Sequence, residues 1–315
     1  MKILVAGTGA VGSFYGAKLG QSGADVGFLC RSDYTLVLQK GVEIESVWGN
    51  FHYTPSVVVS SAAAYRDHSG AADIVLVALK SLPCIDVQAI IRDAVGPGTS
   101  VVLLQNGIGI EQSVAAAFPA NEILSGIAFV CINRVGPGRI RHTDYGRVVI
   151  GRYQAGMSER LAAIAMMLER AGIPTRIAAD IVMERWVKLV WNAPFNPLSV
   201  LCGGVTTRDI LDSPECTLVA RRVMEEIVAV AAAEGFVLPA DIIDKNMADT
   251  ARMEPYKTSM CLDYESGRPL EVDAILGRVV DIARRRCVPV PHIETTYAIL
   301  SAVAARMTPC RQPGE

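Results

Sequence analysis

The feature that most constrains this chain is a set of three glycines placed directly after its first apolar run. Ile3-Leu4-Val5-Ala6 leads into Gly7-Thr8-Gly9-Ala10-Val11-Gly12, and a helical spacing of Val11, Tyr15 and Leu19 follows. A second apolar run, Val26 to Leu29, comes after a turn at Gly23-Ala24-Asp25. A G-x-G-x-x-G spacing that ends a strand, opens a helix and leads into another strand is the context of a dinucleotide-binding loop. Glycines permit the tight turn and let the backbone approach a pyrophosphate. The first helical N–H groups add donors at the positive end of the helix dipole. Gly7, Thr8, Gly9, Ala10, Val11 and Gly12 are therefore the expected cofactor loop.

Further along, Asp73 to Leu79 and Ser100 to Leu104 are continuous apolar runs separated by a helical stretch near Val87 to Ala94. Continuous rather than alternating apolar strands indicate a parallel sheet covered on both faces. From Ile123 to Gly151 the chain reads as short β-rich pieces divided by Gly136-Pro137-Gly138 and Tyr145-Gly146, an antiparallel extension of the sheet. Ser158 to Ala171 has the pattern of an amphipathic helix ended by Gly172 and Pro174, and beyond about residue 179 the periodicity is almost wholly helical, with a long stretch from Pro214 to Glu234. The expected fold class is α/β: an N-terminal Rossmann-type dinucleotide-binding domain over residues 1–178 and an all-helical C-terminal domain over 179–315, with the boundary near 176–180. A length of 315 residues, at roughly 150 per domain, agrees with two domains.

Composition excludes several classes. A net charge of −2, with acidic and basic residues interspersed, offers no footprint for nucleic acid or an anionic membrane. The first apolar run is too short and too glycine-broken for a signal peptide, and no stretch reaches the ~18 apolar residues of a membrane span. Cys30, Cys84, Cys131, Cys202, Cys216, Cys261, Cys287 and Cys310 are scattered without a C-x-x-C, and only four histidines accompany them, so no metal site is expected. These features suit a cytoplasmic protein with free thiols. The polar tail from Pro309 to Glu315 is expected to fray.

The residues at the tip of the second strand discriminate between dinucleotides. An acidic side chain there accepts from a ribose 2′-hydroxyl and repels a 2′-phosphate. This chain instead has Cys30-Arg31-Ser32, with Asp33 just beyond. Arg31 can pair with a phosphate through its fork of donors, which favours NADP over NAD, although a solvated loop arginine reads the same way. Lys80 and Asn106-Gly107 end the third and fourth apolar runs, at strand carboxyl ends where ligands bind in open α/β sheets.

In the helical half, Glu184-Arg185-Trp186-Val187-Lys188-Leu189-Val190-Trp191-Asn192 places Lys188 and Asn192 four apart, on one helix face. Asn196-Pro197 follows, but Pro194 intervenes and is expected to bend or end the helix. Taken alone, Lys188 between Val187 and Leu189 also fits a surface lysine whose stem lies on apolar neighbours.

Together these segments resemble the ketopantoate reductases (2-dehydropantoate 2-reductases). The resemblance spans nearly the whole chain: Gly7-x-Gly9-Ala10-x-Gly12, Arg31, Leu79-Lys80, Gln105-Asn106-Gly107, Gly136-Pro137-Gly138-x-Ile140-x-His142, Lys188-Leu189-x-x-Asn192-x-x-x-Asn196-Pro197-Leu198, Ser259-Met260 and Glu271-Val272-Asp273. It implies reduction of the C2 ketone of a branched 2-oxo acid by NADPH, in the synthesis of pantothenate and coenzyme A. It also implies that Lys188 donates a proton or strong hydrogen bond as the alkoxide develops, and that Glu271 positions lysine and cofactor. By the same match, Asn192, Asn196 and Ser259 bind the substrate, Asn106 lies by both nicotinamide and substrate, and Arg31 and Lys80 hold the phosphoribose end of NADP. His142 reads as structural.

Three positions depart from the family pattern: Thr206, Tyr256 and Leu276-Gly277 after Glu271-Val272-Asp273. They bear on which 2-oxo acid is reduced. Other readings are an NADP-dependent reductase of a different 2-oxo acid, a β-hydroxyacid dehydrogenase, which Asn196-Pro197 and Glu271-Val272-Asp273 disfavour, and a non-catalytic NADPH-sensing module, which needs neither Lys188 nor Glu271. The Ala- and Val-rich helical half offers a surface for a homodimer, although the same composition serves an internal core.

Overall fold

The apolar runs fold as parallel strands, in a computed structural model that describes residues 1–307. The expectation for Pro309 to Glu315 lies outside the described residues. The described chain forms two compact units. The first comprises Met1–Lys80, Asp86–Gln105 and Ile110–Ile181, and the second Ser81–Ile85, Asn106–Gly109 and the chain from Val182 onward.

The first unit contains, in order, β1 (Lys2–Ala6), α1 (Ala10–Gln21), β2 (Asp25–Leu29), α2 (Tyr34–Lys40), β3 (Val42–Ser46), β4 (Phe51–Tyr53), β5 (Val57–Val59), α3 (Ala62–Ser69), β6 (Ile74–Val77), α4 (Val87–Ile91), β7 (Ser100–Leu103), α5 (Glu111–Ala117), β8 (Glu122–Gly136), β9 (Arg139–Arg152), α6 (Glu159–Arg170) and β10 (Thr175–Ile177). One sheet runs β4-β3-β9-β8-β7-β6-β1-β2-β5, with β10 paired to β9. From β5 to β8 every pairing is parallel, and the order outward from β1 is that of a doubly wound Rossmann sheet. Alternation along β1 shows why its run is unbroken. Ile3 and Val5 pack with Phe14 and Tyr15 of α1 and Leu161 and Leu168 of α6, whereas Leu4 and Ala6 pack on the opposite face with Tyr65 of α3 and Val114 of α5. Ile3, Leu4, Val5 and Ala6 are fully buried, and each large apolar side chain so buried stabilises the fold by roughly 1.5–3 kcal/mol.

The β-rich extension differs from the expectation of short pieces. β8 and β9 are two long antiparallel strands, turned at Gly136-Pro137-Gly138. Tyr145-Gly146 does not end a strand. Both residues have positive φ, 58° and 121°, within β9 and opposite register shifts in β8. The bulge absorbs the turn-prone residues without breaking the ladder. His142 lies inside this extension, 1% exposed. Its Nδ1 is 2.8 Å from Ser46 Oγ, its Nε2 faces the carbonyls of Asp144 and Tyr145, and its ring packs on Phe14 and Trp48.

The second unit is helical: α7 (Ile181–Leu201), α8 (Thr207–Asp212), α9 (Pro214–Ala233), α10 (Ile242–Arg252), α11 (Ser259–Glu265), α12 (Arg278–Arg286) and α13 (Pro291–Ala304), with a π-helical turn over Asp273–Gly277. Pro194 does not end α7, which continues through both Pro194 and Pro197 to Leu201. Each proline removes one helix hydrogen bond. The loss is offset by burial, because Trp186, Leu189, Val190, Ala193, Phe195, Leu198 and Val200 all belong to the core of this unit.

Cys30, Cys131, Cys202, Cys216, Cys261 and Cys287 carry free thiols. The expectation is corrected at Cys84, which is disulfide-bonded. Among the described residues no helix is long and apolar enough to cross a membrane, and no group of His, Cys, Asp and Glu is arranged to hold a metal ion.

Candidate active site

In the first unit the glycine loop joins β1 to α1. Gly7 has φ +98°, and a Cβ there would lie 2.6 Å from the Leu79 amide nitrogen. A Cβ on Gly12 would lie 2.1 Å from the Gly7 carbonyl oxygen. These two glycines are required by the protein's own backbone. Gly9 is different: it is exposed, has φ −74°, and a Cβ there would meet nothing within 4 Å. The loop is held from below by Ser13 Oγ, which donates to the Thr8 carbonyl at 3.1 Å, and by the Thr8 hydroxyl against Cys30 Sγ at 3.2 Å. No side chain caps the N-terminus of α1. Its first N–H groups thus face the open side of a glycine turn, a donor set that fits a pyrophosphate.

Arg31 and Ser32 are exposed just past β2, and Asp33 is buried. The Asp33 carboxylate pairs with Arg134 Nη2 at 2.5 Å and accepts the Gly138 N–H at 3.1 Å, so it is engaged with the β8–β9 turn. Lys80 is half-buried beyond the end of β6. The neighbouring strand ends are tied by Gln105 Nε2, which donates to the Leu79 carbonyl at 2.9 Å.

The second unit brings together the residues expected to carry chemistry. Lys188 Nζ, on α7, donates to Asn106 Oδ1 at 3.0 Å. Ser81 Oγ donates to the Asn106 carbonyl at 2.9 Å, and the Ser81 N–H donates to Glu271 Oε1 at 2.8 Å. Lys188 and Glu271 are thereby linked through Asn106 and Ser81. Arg185, one turn before Lys188 and 4% exposed, donates to the Gly107 carbonyl at 3.2 Å. Gly107 has φ +99°, and a Cβ there would lie 2.6 Å from the Ala274 carbonyl oxygen, so the segment carrying Asn106 needs glycine at this point. Arg278 completes the clamp through the Ile108 and Gly109 carbonyls.

Burial lowers the Lys188 pKa, the neighbouring Arg185 guanidinium lowers it further, and Glu271 opposes both; the net effect brings the ammonium from 10.5 down to about 8. Asn192 and Asn196 follow on α7, 6% and 2% exposed. The Asn196 Oδ1 is buried with no hydrogen-bond partner, an unsatisfied acceptor that costs roughly 1–3 kcal/mol where nothing donates to it. The backbone under it is fixed, since Ser199 Oγ contacts both the Asn196 carbonyl at 2.8 Å and Thr258 Oγ1 at 2.7 Å. Thr258 caps α11, whose first residue, Ser259, is exposed.

Each of the three departures from the family pattern takes part in local structure. Leu276 is fully buried in the helical core. Thr206 forms the capping box of α8 with Asp209. The Tyr256 backbone exchanges hydrogen bonds with Thr207. Residue-by-residue reading of the sequence missed Ser81 and Arg185. Both adjoin residues it singled out, Ser81 next to Lys80 and Arg185 three before Lys188, and that adjacency was the available signal.

Residues 3–155 match the model of the ketopantoate reductase PanE/ApbA family, and residues 180–304 match its C-terminal model. The chain is 37% identical to a 2-dehydropantoate 2-reductase of Nostoc sp. over 97% of this chain and 96% of that protein. Among solved structures, a 2-dehydropantoate 2-reductase from Methylococcus capsulatus is 47% identical with a TM-score of 0.90, covering 98% of this chain and 99% of the other. One from Geobacter metallireducens is 34% identical with a TM-score of 0.90, covering 96% and 99%. With both family models matched across most of its length, the chain belongs to the ketopantoate reductase PanE/ApbA family.

Proposed function

We propose that the protein reduces the C2 ketone of 2-dehydropantoate to the alcohol of pantoate with NADPH, as a step in pantothenate and coenzyme A synthesis. The observation that carries this reading is Lys188: a partly buried ammonium, held at 3.0 Å by Asn106 and brought down to about 8. When bound, NADPH supplies the hydride. The residues of this chain supply the rest. As negative charge develops on the C2 oxygen, Lys188 donates a hydrogen bond and then its proton, leaving a neutral amine that is reprotonated from water. Glu271 resists loss of that proton before the oxygen is charged, and Asn106 fixes the direction in which the ammonium donates. Asn192, Asn196 and Ser259 bind the substrate's carboxylate and hydroxyl groups, and the Asn196 Oδ1 is an acceptor ready for a hydroxyl.

On this reading the cofactor belongs to residues 1–178 and the substrate to residues 179–315 together with Asn106. Gly7 to Gly12 cradle the pyrophosphate, and Arg31 and Lys80 hold the 2′-phosphoribose. A cytoplasmic location and a homodimer complete the proposal. Leu218, Val237 and Ile299 are exposed apolar side chains of the helical unit, and light scattering of the purified protein tests the dimer.

The function is tested by following NADPH and NADH consumption with 2-dehydropantoate beside a panel of other 2-oxo acids. Turnover of 2-dehydropantoate with NADPH, lost in Lys188→Ala, supports the proposal. Turnover of a different 2-oxo acid alone overturns the substrate and leaves the chemistry in place.

A further inference from the structure

Asp33 lies four residues past the end of β2, just beyond the strand tip where an acidic side chain accepts from the ribose hydroxyls and repels a 2′-phosphate. A carboxylate so near that tip works against NADP if it faces the ribose. Asp33 is also the N-cap of α2, and its carbonyl accepts the Val37 N–H at 2.8 Å. An aspartate at an N-cap normally turns its side chain onto the first free helix N–H groups. Here it does not: no side chain caps α2. The carboxylate instead reaches residues more than a hundred positions away. Oδ1 pairs with Arg134 Nη2 at 2.5 Å and Oδ2 accepts the Gly138 N–H at 3.1 Å, while Ser32 Oγ donates to Oδ1 at 3.0 Å. Gly138 has φ +63°, and a Cβ there would lie 2.4 Å from Leu36 Cδ2, so the β8–β9 turn sits tightly against α2.

We propose that Asp33 is a positioning residue for cofactor choice: the β8–β9 turn, through Arg134 and Gly138, withdraws its charge from the ribose end of the loop, so that it does not oppose the pairing of Arg31 with the 2′-phosphate. This rests on the assignment of the 2′-phosphate to Arg31. Arg134 thus acts on NADPH recognition through Asp33, by keeping a negative charge away from a negative ligand. The arrangement also explains how an Arg-x-Asp sequence favours the phosphorylated dinucleotide.

The test is a double-mutant cycle read as KM for NADPH and KM for NADH. Arg134→Met removes the cation and keeps an apolar stem at a partly exposed site. It is expected to raise KM for NADPH roughly tenfold, with KM for NADH unchanged or lower, as the released carboxylate confronts the phosphate. Asp33→Asn should keep the preference for NADPH. The double variant should recover most of what Arg134→Met lost, because the repelling charge is gone, and Arg134→Lys should behave as the parent. Equal changes in both KM values for Arg134→Met, or a double variant no better than the single one, overturns the proposal and leaves the pair a structural tie. Arg31→Ala separates this from its premise. If that change leaves the NADPH to NADH ratio intact, the phosphate assignment itself is wrong.

Discussion

Lys188 on α7 donates to the side-chain oxygen of Asn106 at 3.0 Å, joining residues 82 positions apart in the chain. The bond orients an ammonium that would otherwise rotate freely on four methylenes. The backbone around Asn106 is held in turn by Ser81, Arg185 and Arg278. A lysine donor held in this way is preorganised, which is what general acid catalysis requires.

Lys188→Ala should lower kcat for 2-dehydropantoate by about 10²–10⁴-fold, with the Kd for NADPH, measured by fluorescence titration, changed by less than about threefold. A comparable loss of NADPH affinity would mean that Lys188 holds the cofactor rather than the reacting oxygen.

Turnover should fall as pH rises through about 8, because the protonated amine is the donor and burial, with Arg185 beside it, brings its pKa down to that value. Glu271 opposes the shift, so Glu271→Gln should move the falling limb to lower pH. Arg185→Met should move it to higher pH. Profiles of kcat against pH for the three proteins check this, and a limb that stays put in both variants would show that another group titrates.

The same shift predicts a stability effect. A lysine whose folded pKa lies below 10.5 binds fewer protons folded than unfolded between about 8 and 10.5, so stability rises with pH across that window. Below about pH 8 the buried charge is a constant penalty. Lys188→Met should therefore be more stable than the parent at pH 7 by roughly 1–3 kcal/mol, the relieved penalty less the hydrogen bond to Asn106. Urea unfolding at pH 7 and pH 10 measures both numbers.

Gly9 and Gly12 should part company on substitution. A Cβ on Gly12 falls 2.1 Å from the Gly7 carbonyl oxygen, whereas one on Gly9 meets nothing within 4 Å. Gly12→Ala is expected to lower Tm by several degrees or prevent folding. Gly9→Ala should leave Tm unchanged and, if the loop cradles the pyrophosphate as proposed, weaken NADPH binding by about tenfold or more. Unaltered NADPH affinity in a folded Gly9→Ala protein would remove the loop from the cofactor site.

Asn196→Ala should cost little stability, because Oδ1 has no partner to lose. It should raise KM for 2-dehydropantoate by roughly tenfold, the loss of one hydrogen bond from a buried acceptor. An analogue lacking the substrate's hydroxyl should be nearly indifferent to the change. Equal sensitivity of both compounds would assign Asn196 a packing role.

The local features of this protein were legible in its sequence. Ile3 to Gly12 announced a strand, a glycine turn and a helix, because φ > 0 at Gly7 and close backbone contact at Gly12 tolerate nothing larger. Continuous apolar runs announced a parallel sheet, because both faces of each strand are covered. Lys188 and Asn192 shared a face by helical period alone. What the sequence misread was decided by packing. α7 runs through Pro194 because its buried face outweighs the missing hydrogen bonds, and β9 runs through Tyr145-Gly146 because β8 pairs on either side of the bulge. The meeting of Ser81, Asn106, Lys188 and Glu271, and the turning of Asp33 toward Arg134, belong to the tertiary structure alone. Periodicity carries information over a few residues, whereas these contacts close separations of 25 to 190 residues, and only the packed core determines which distant side chains arrive together.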